Sequence, residues 1–133
     1  MSIKCYIDGS ARPNPGKGGI GVVITGDGWN YKFAGTCNGK CTNNIAEYIA
    51  LIQALEFLSS GSAKDHEVLI VSDSEMLVEQ MSGRREVLGG AYIKKYQQAK
   101  ALAINFPKLS FKWVDRRENA EANYLASKGT RLK

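Results

Sequence analysis

The chain has 133 residues, enough for one domain with one core, and a single unit over 1–133 is expected. At 44% hydrophobic and 23% charged it has an ordinary globular composition. No apolar run nears the roughly 20 residues that cross a bilayer. The N-terminus lacks the basic-then-apolar pattern of a secretory signal, so a cytoplasmic protein without membrane association is expected. The formal charge of +5 favours a polyanionic partner without requiring one.

In chain order, Ile3, Cys5 and Ile7 alternate with Lys4 and Tyr6, the period of a strand. The run stops at Asp8, and a turn rich in Pro and Gly leads to a second strand over Ile20 to Thr25. Asp8 reads equally well as a turn residue capping the strand or as a site carboxylate at the mouth of a hairpin. Gly26-Asp27-Gly28 makes a turn, and Trp29 to Ala34 is a third strand with Trp29, Tyr31 and Phe33 on one face. Gly35 to Lys40 reads as loop. Residues 42 to 61 carry helical spacing, with Asn44 and Glu47 in the N-x-x-E pattern of a helix start and Gly61 as its stop. Residues 68 to 72 form a continuous apolar run, the mark of a strand buried on both faces.

Asp73 follows that strand directly, and Ser74 to Met81 reads as a short helix. Gly83 to Gly90 is loop. Ala91 to Asn105 is helical and Pro107 ends it. Leu109 to Val114 is the last strand, and a helix from Glu118 to Ser127 precedes a basic tail with Lys128, Arg131 and Lys133. The meander implies antiparallel strands early, and the helical crossovers imply parallel strands late. The result is an α/β fold, a mixed five-stranded sheet flanked by helices.

Three cysteines are present. Cys37 and Cys41 lie close together, but zinc would need more ligands, and the only histidine is His66. Free thiols are expected over a strained local disulfide in a reducing compartment. His66, in a polar loop, reads as solvated.

Asp8 and Asp73 both stand just past the apolar residues of a strand. If those strands are parallel neighbours, the carboxylates face one another at about 5 Å strand spacing. Glu47 is the third candidate, though an acid near a helix N-terminus also has a local reading as a capping-box residue. Carboxylates this close repel unless one takes up a proton or a divalent cation joins them. Oxygen ligands without His or thiolate suit Mg²⁺ or Mn²⁺, and a pair of such ions serves phosphodiester chemistry. A metal-dependent phosphatase is a weaker alternative that leaves TNNIAEY and the final segment unexplained.

Four stretches, in order, resemble the type 1 ribonuclease H family, most closely its compact prokaryotic and archaeal members. They are YIDGSARPNPGKGGIGVVI, TNNIAEYIAL, VLIVSDSEMLVEQMSG and WVDRRENAEANYLASKG. The resemblance covers nearly the whole chain. It implies the ribonuclease H-like fold, two Mg²⁺ ions (Mn²⁺ as substitute) and an RNA/DNA hybrid as substrate. It carries the first three acidic ligands onto Asp8, Glu47 and Asp73. The fourth falls on position 123, where this chain has Asn123, which offers an oxygen but no charge. In the family the first and fourth acids hold the ion that activates water, so Asn123 puts that step in question. The explanations are a natural variant with altered metal use, a substitution that disables cleavage, or a hybrid binder with little catalysis. Many relatives place a His in the loop before the last helix. Here that loop is Asp115-Arg116-Arg117-Glu118, and Arg116 takes an auxiliary catalytic role.

The motif match also assigns substrate contacts. Ser10, Asn14, Asn43, Asn44 and Glu47 would serve 2′-hydroxyl recognition, which tells RNA from DNA, with Gly9 a further substrate contact and Thr42 serving a DNA phosphate. Pro13-Asn14-Pro15-Gly16 is equally a turn without any ligand. Nothing demands an oligomer, and a monomer is expected.

Overall fold

The computed structural model describes residues 2–26 and 28–131. Asp27 of the expected turn and Lys133 of the basic tail lie outside the described residues. Among the described residues five strands form one sheet: β1 (Ser2–Arg12), β2 (Gly16–Gly26), β3 (Trp29–Cys41), β4 (Glu67–Ser72) and β5 (Leu109–Trp113). Their order is β3-β2-β1-β4-β5. The β1–β2 and β2–β3 pairs are antiparallel, and β1–β4 and β4–β5 are parallel. The helices are α1 (Asn43–Ser59), α2 (Glu75–Met81), α3 (Ile93–Ala103) and α4 (Ala120–Gly129). The mixed sheet expected from the sequence is present.

Strand parity sorts the two faces. Ile3, Cys5 and Ile7 of β1 join Ile20, Val22 and Ile24 of β2 in a core that includes Leu51, Leu55 and Leu58 of α1. The opposite face meets α4. Gly21 lies so close to it that a Cβ would stand 2.1 Å from the Ala122 carbonyl oxygen. Asp8 pairs directly with Gly21, so it shares that second face.

Several expected boundaries are corrected. β1 does not end at Asp8 but runs on to Arg12, because β2 supplies backbone partners from Gly9↔Ile20 through Arg12↔Lys17. The segment expected as loop, Gly35 to Lys40, is strand. It pairs with β2 across a bulge, where β2 steps from Lys17 to Gly19 while β3 steps from Lys40 to Thr36. Cys37 and Cys41 close under that bulge as buried free thiols, with their sulfurs 3.0 Å apart. Burial pushes the Cys37 thiol up to about 12. The last helix is split into a 3-10 turn over Arg116–Asn119 and then α4.

The start of α1 also differs. Thr42 is its N-cap, and its Oγ1 accepts from the Ile45 N–H at 3.1 Å. Glu47 therefore sits beyond the first turn, with no capping-box partner at Asn44. The local explanation for an acid at this position fails.

Candidate metal centre

The parallel ladder between β1 and β4 ends at Ile7↔Ser72. Asp8 and Asp73 are the next residues on each chain segment. Ser72 is buried, its hydroxyl accepts from the Ser74 N–H at 3.0 Å, and its carbonyl accepts from Val114 N–H at 3.0 Å. These bonds fix the turn that carries Asp73. Glu47 arrives from above, on α1. Gly9 admits it, since a Cβ there would lie 2.2 Å from the Ala46 carbonyl carbon and 2.3 Å from the Glu47 nitrogen. Only glycine allows helix and strand backbones this close.

The outcome is convergence. One oxygen from each of Asp8, Glu47 and Asp73 lies within 4.8 Å of the others. Asp8 is 5% exposed. Burial pushes its carboxyl up to about 7, helped by the charge of Asp73 and a hydrogen bond to it, and opposed by the Gly9 N–H and by Arg116. Glu47 is held well above the usual range, again by burial first and then by Asp8 and Asp73, against Arg116. Its Oε2 is buried with no hydrogen-bond partner among the described residues. An orphaned carboxylate oxygen beside two more acids makes a set of hard oxygen donors that suits a divalent cation.

These acids line a cavity of about 480 Å³ together with Gly9, Ser10 and Asn43. The Ser10 hydroxyl is buried and has no partner among the described residues. Asn43 Oδ1 accepts from the Ala11 N–H at 2.8 Å, and its own N–H donates to Asn14 Oδ1 at 3.1 Å. Asn14, Thr42 and Asn44 stand outside the cavity lining. Asn123, half-buried on α4, is not in the lining either; its Oδ1 accepts from Arg116 Nη2 at 3.2 Å, and Arg116 does line the cavity. His66 precedes β4 and Asp73 follows it, so the histidine is at the far end of that strand.

The sequence reading missed Arg12, Trp113 and Asp115 as cavity residues. Their place depends on register: Trp113 pairs with Ser72, next to Asp73. Asn119 was noted only as part of a motif. It is buried, and its Nδ2 donates to the Ile7 carbonyl at 2.8 Å, tying the start of α4 to β1 beside Asp8.

The strand order and the three converging acids define a ribonuclease H-like domain. Residues 6–129 match the sequence family described as reverse transcriptase-like. Over 129 residues the chain is 38% identical to "Bifunctional protein Rv2228c" of Mycobacterium tuberculosis, covering 96% of this chain and 35% of that protein. Over 126 residues it is 34% identical to "Ribonuclease HI" of Halobacterium salinarum, covering 94% of this chain and 62% of that one. Among solved structures, the N-terminal RNase H domain of Rv2228c, crystallised as a fusion with maltose binding protein, superposes with a TM-score of 0.89. It is 34% identical and covers 98% of this chain and 99% of that one. LC11-RNase H1 in complex with RNA/DNA hybrid superposes with a TM-score of 0.87 at 38% identity, covering 96% of each chain. The chain belongs to the type 1 ribonuclease H family. It spans about a third of the mycobacterial relatives and under two thirds of the haloarchaeal one.

Proposed function

We propose that this chain is a metal-dependent endonuclease that hydrolyses the RNA strand of RNA/DNA hybrids, leaving 3′-hydroxyl and 5′-phosphate ends. The observation that carries this reading is the convergence of Asp8, Glu47 and Asp73 around an unpartnered Glu47 oxygen. Asp8, Glu47 and Asp73 would hold one Mg²⁺ or Mn²⁺, and Asp8 with Asn123 would hold a second. Bound there, such ions supply Lewis-acid activation of water and neutralise charge developing at the phosphodiester.

The chain's own groups do the rest. The three carboxylates concentrate negative charge at one point of the cavity. Ser10 keeps an unpartnered hydroxyl beside them, suited to a 2′-hydroxyl. Asn43, pinned by Ala11 and Asn14, presents its amide at the same wall, and Gly9 keeps that wall thin. Thr42 Oγ1 accepts from the helix, which leaves its O–H to donate to a DNA phosphate, and Asn44 is exposed one residue into the helix. Arg116 holds positive charge over the acids.

A second reading is a hybrid-binding module with little catalysis. It is favoured by Asn123, which is uncharged and already engaged by Arg116. One assay separates the two: cleavage of labelled hybrid with Mg²⁺ and with Mn²⁺, comparing this chain with Asn123→Asp. Cleavage by this chain, faster in Asn123→Asp, is expected. Strong cleavage unchanged by the substitution defeats the binder, cleavage restored only by the substitution marks a disabled enzyme, and silence in both chains defeats the nuclease reading.

A further inference from the structure

α4 offers two side chains one turn apart, and each holds an arginine. Asn123 Oδ1 accepts from Arg116 Nη2 at 3.2 Å, and Ser127 Oγ accepts from Arg12 Nη2 at 3.3 Å. Positions i and i+4 share one helix face, about 6 Å apart along the axis. The two arginines come from different elements: Arg12 ends β1, and Arg116 opens the 3-10 turn before α4. Both are exposed, and both line the cavity that contains the three acids. Among the described residues neither is in a salt bridge.

That combination is unlike an ordinary solvated arginine. A hydrogen bond to an amide or hydroxyl fixes where a guanidinium sits without closing a salt bridge, although Arg116 also feels the charge of Asp8 and Glu47. Five N–H donors belong to each guanidinium, so one anchoring bond leaves a free fork of donors. Planar forks of this kind match phosphate oxygens. An acid at either anchor position would instead close a salt bridge and occupy the fork.

We propose that Arg12 and Arg116 form a clamp for two successive phosphates of one nucleic-acid strand, spaced by α4 and kept available by the neutral anchors Asn123 and Ser127. The inference rests on the hybrid-nuclease reading above and adds to it how the strand is held beside the acids. It also gives Asn123 a function other than metal binding.

The test is the salt dependence of binding. Affinity of the full chain for a labelled RNA/DNA hybrid is measured by fluorescence anisotropy over a range of salt, with Ca²⁺ as an oxygen-ligated ion at the acids. Each lost phosphate contact lowers the slope of log K against log[salt] by about 0.7–0.9. Arg12→Ala, Arg116→Ala and Ser127→Asp should each lower it by that amount, and the double arginine variant by about twice as much. Arg12→Lys should keep most of the slope. Urea midpoints confirm that each variant is folded. Hybrid binding with an unchanged slope in Arg12→Ala and Ser127→Asp overturns the clamp and leaves the nuclease reading standing. Absence of hybrid binding by the unaltered chain overturns both.

Discussion

The acid trio makes stability fall as pH rises when no divalent ion is bound. Asp8 is buried, and its carboxyl moves from 3.8 to about 7 in the folded chain. Between those values the folded state keeps a proton that the unfolded chain has released. The folded state therefore binds more protons, and stability declines with rising pH across that window. Its contribution is intact below about pH 4 and lost once pH passes about 7. A change from 3.8 to about 7 corresponds to on the order of 4 kcal/mol, at about 1.4 kcal/mol per pH unit. Glu47 is pushed the same way and adds to the trend. The assay is urea unfolding in chelator from pH 4 to pH 8. With a slope of about 2 kcal/mol/M, the midpoint should drop by on the order of 2 M. Asp8→Asn should flatten the decline. Mg²⁺ or Mn²⁺ at pH 8 should raise the midpoint again, by the mass action of an ion that binds the folded state. A metal-free midpoint that stays level or climbs from pH 4 to pH 8 would refute this reasoning.

Two further substitutions test how the site and the core are built. Gly9→Ala places a methyl 2.2 Å from the α1 backbone and should cost about 1–3 kcal/mol or more. Because it pushes Glu47 away from Asp8, it should also shrink the midpoint gain from added Mg²⁺, read in the same urea experiment. Tyr48→Phe removes the donor to buried Gln80 Oε1, now 2.6 Å away, and should cost about 1–3 kcal/mol with the urea slope unchanged.

The three acids were legible because each sits beside a strong local signal. Asp8 and Asp73 interrupt apolar strand patterns, and Glu47 lies in a clear helix. What was not legible depends on pairing at a distance. Gly9 to Arg12 looks like a turn because it lacks apolar alternation; it is strand because β2 holds it. Gly35 to Lys40 has a loop-like composition, yet β2 pairs with it across the bulge. The true N-cap, Thr42, was passed over for Asn44 because the N-x-x-E spacing suggested a capping box. Arg12, Trp113 and Asp115 fall within the first and last family-like stretches without a role assigned there, and register brings them to the cavity.

The extension of β1 beyond Asp8 matters most for the chemistry. An acid at a free strand end could swing away from its neighbours. Asp8 instead has paired backbone on both sides, from Lys4↔Thr25 to Arg12↔Lys17. Asn119 also bonds the carbonyl of the preceding residue, Ile7. Glu47 is fixed by a helix whose backbone lies against Gly9. Asp73 alone sits in a turn, and even that turn is held by bonds to Ser72. Rigid elements on all sides leave the mutual repulsion of the acids few ways to relax. A proton relieves it, and this adds to burial, the larger cause, in raising the Asp8 carboxyl. A divalent cation would relieve it without a proton. Preorganisation of this kind loads the protein with repulsion so that a cation would find its ligands already in place.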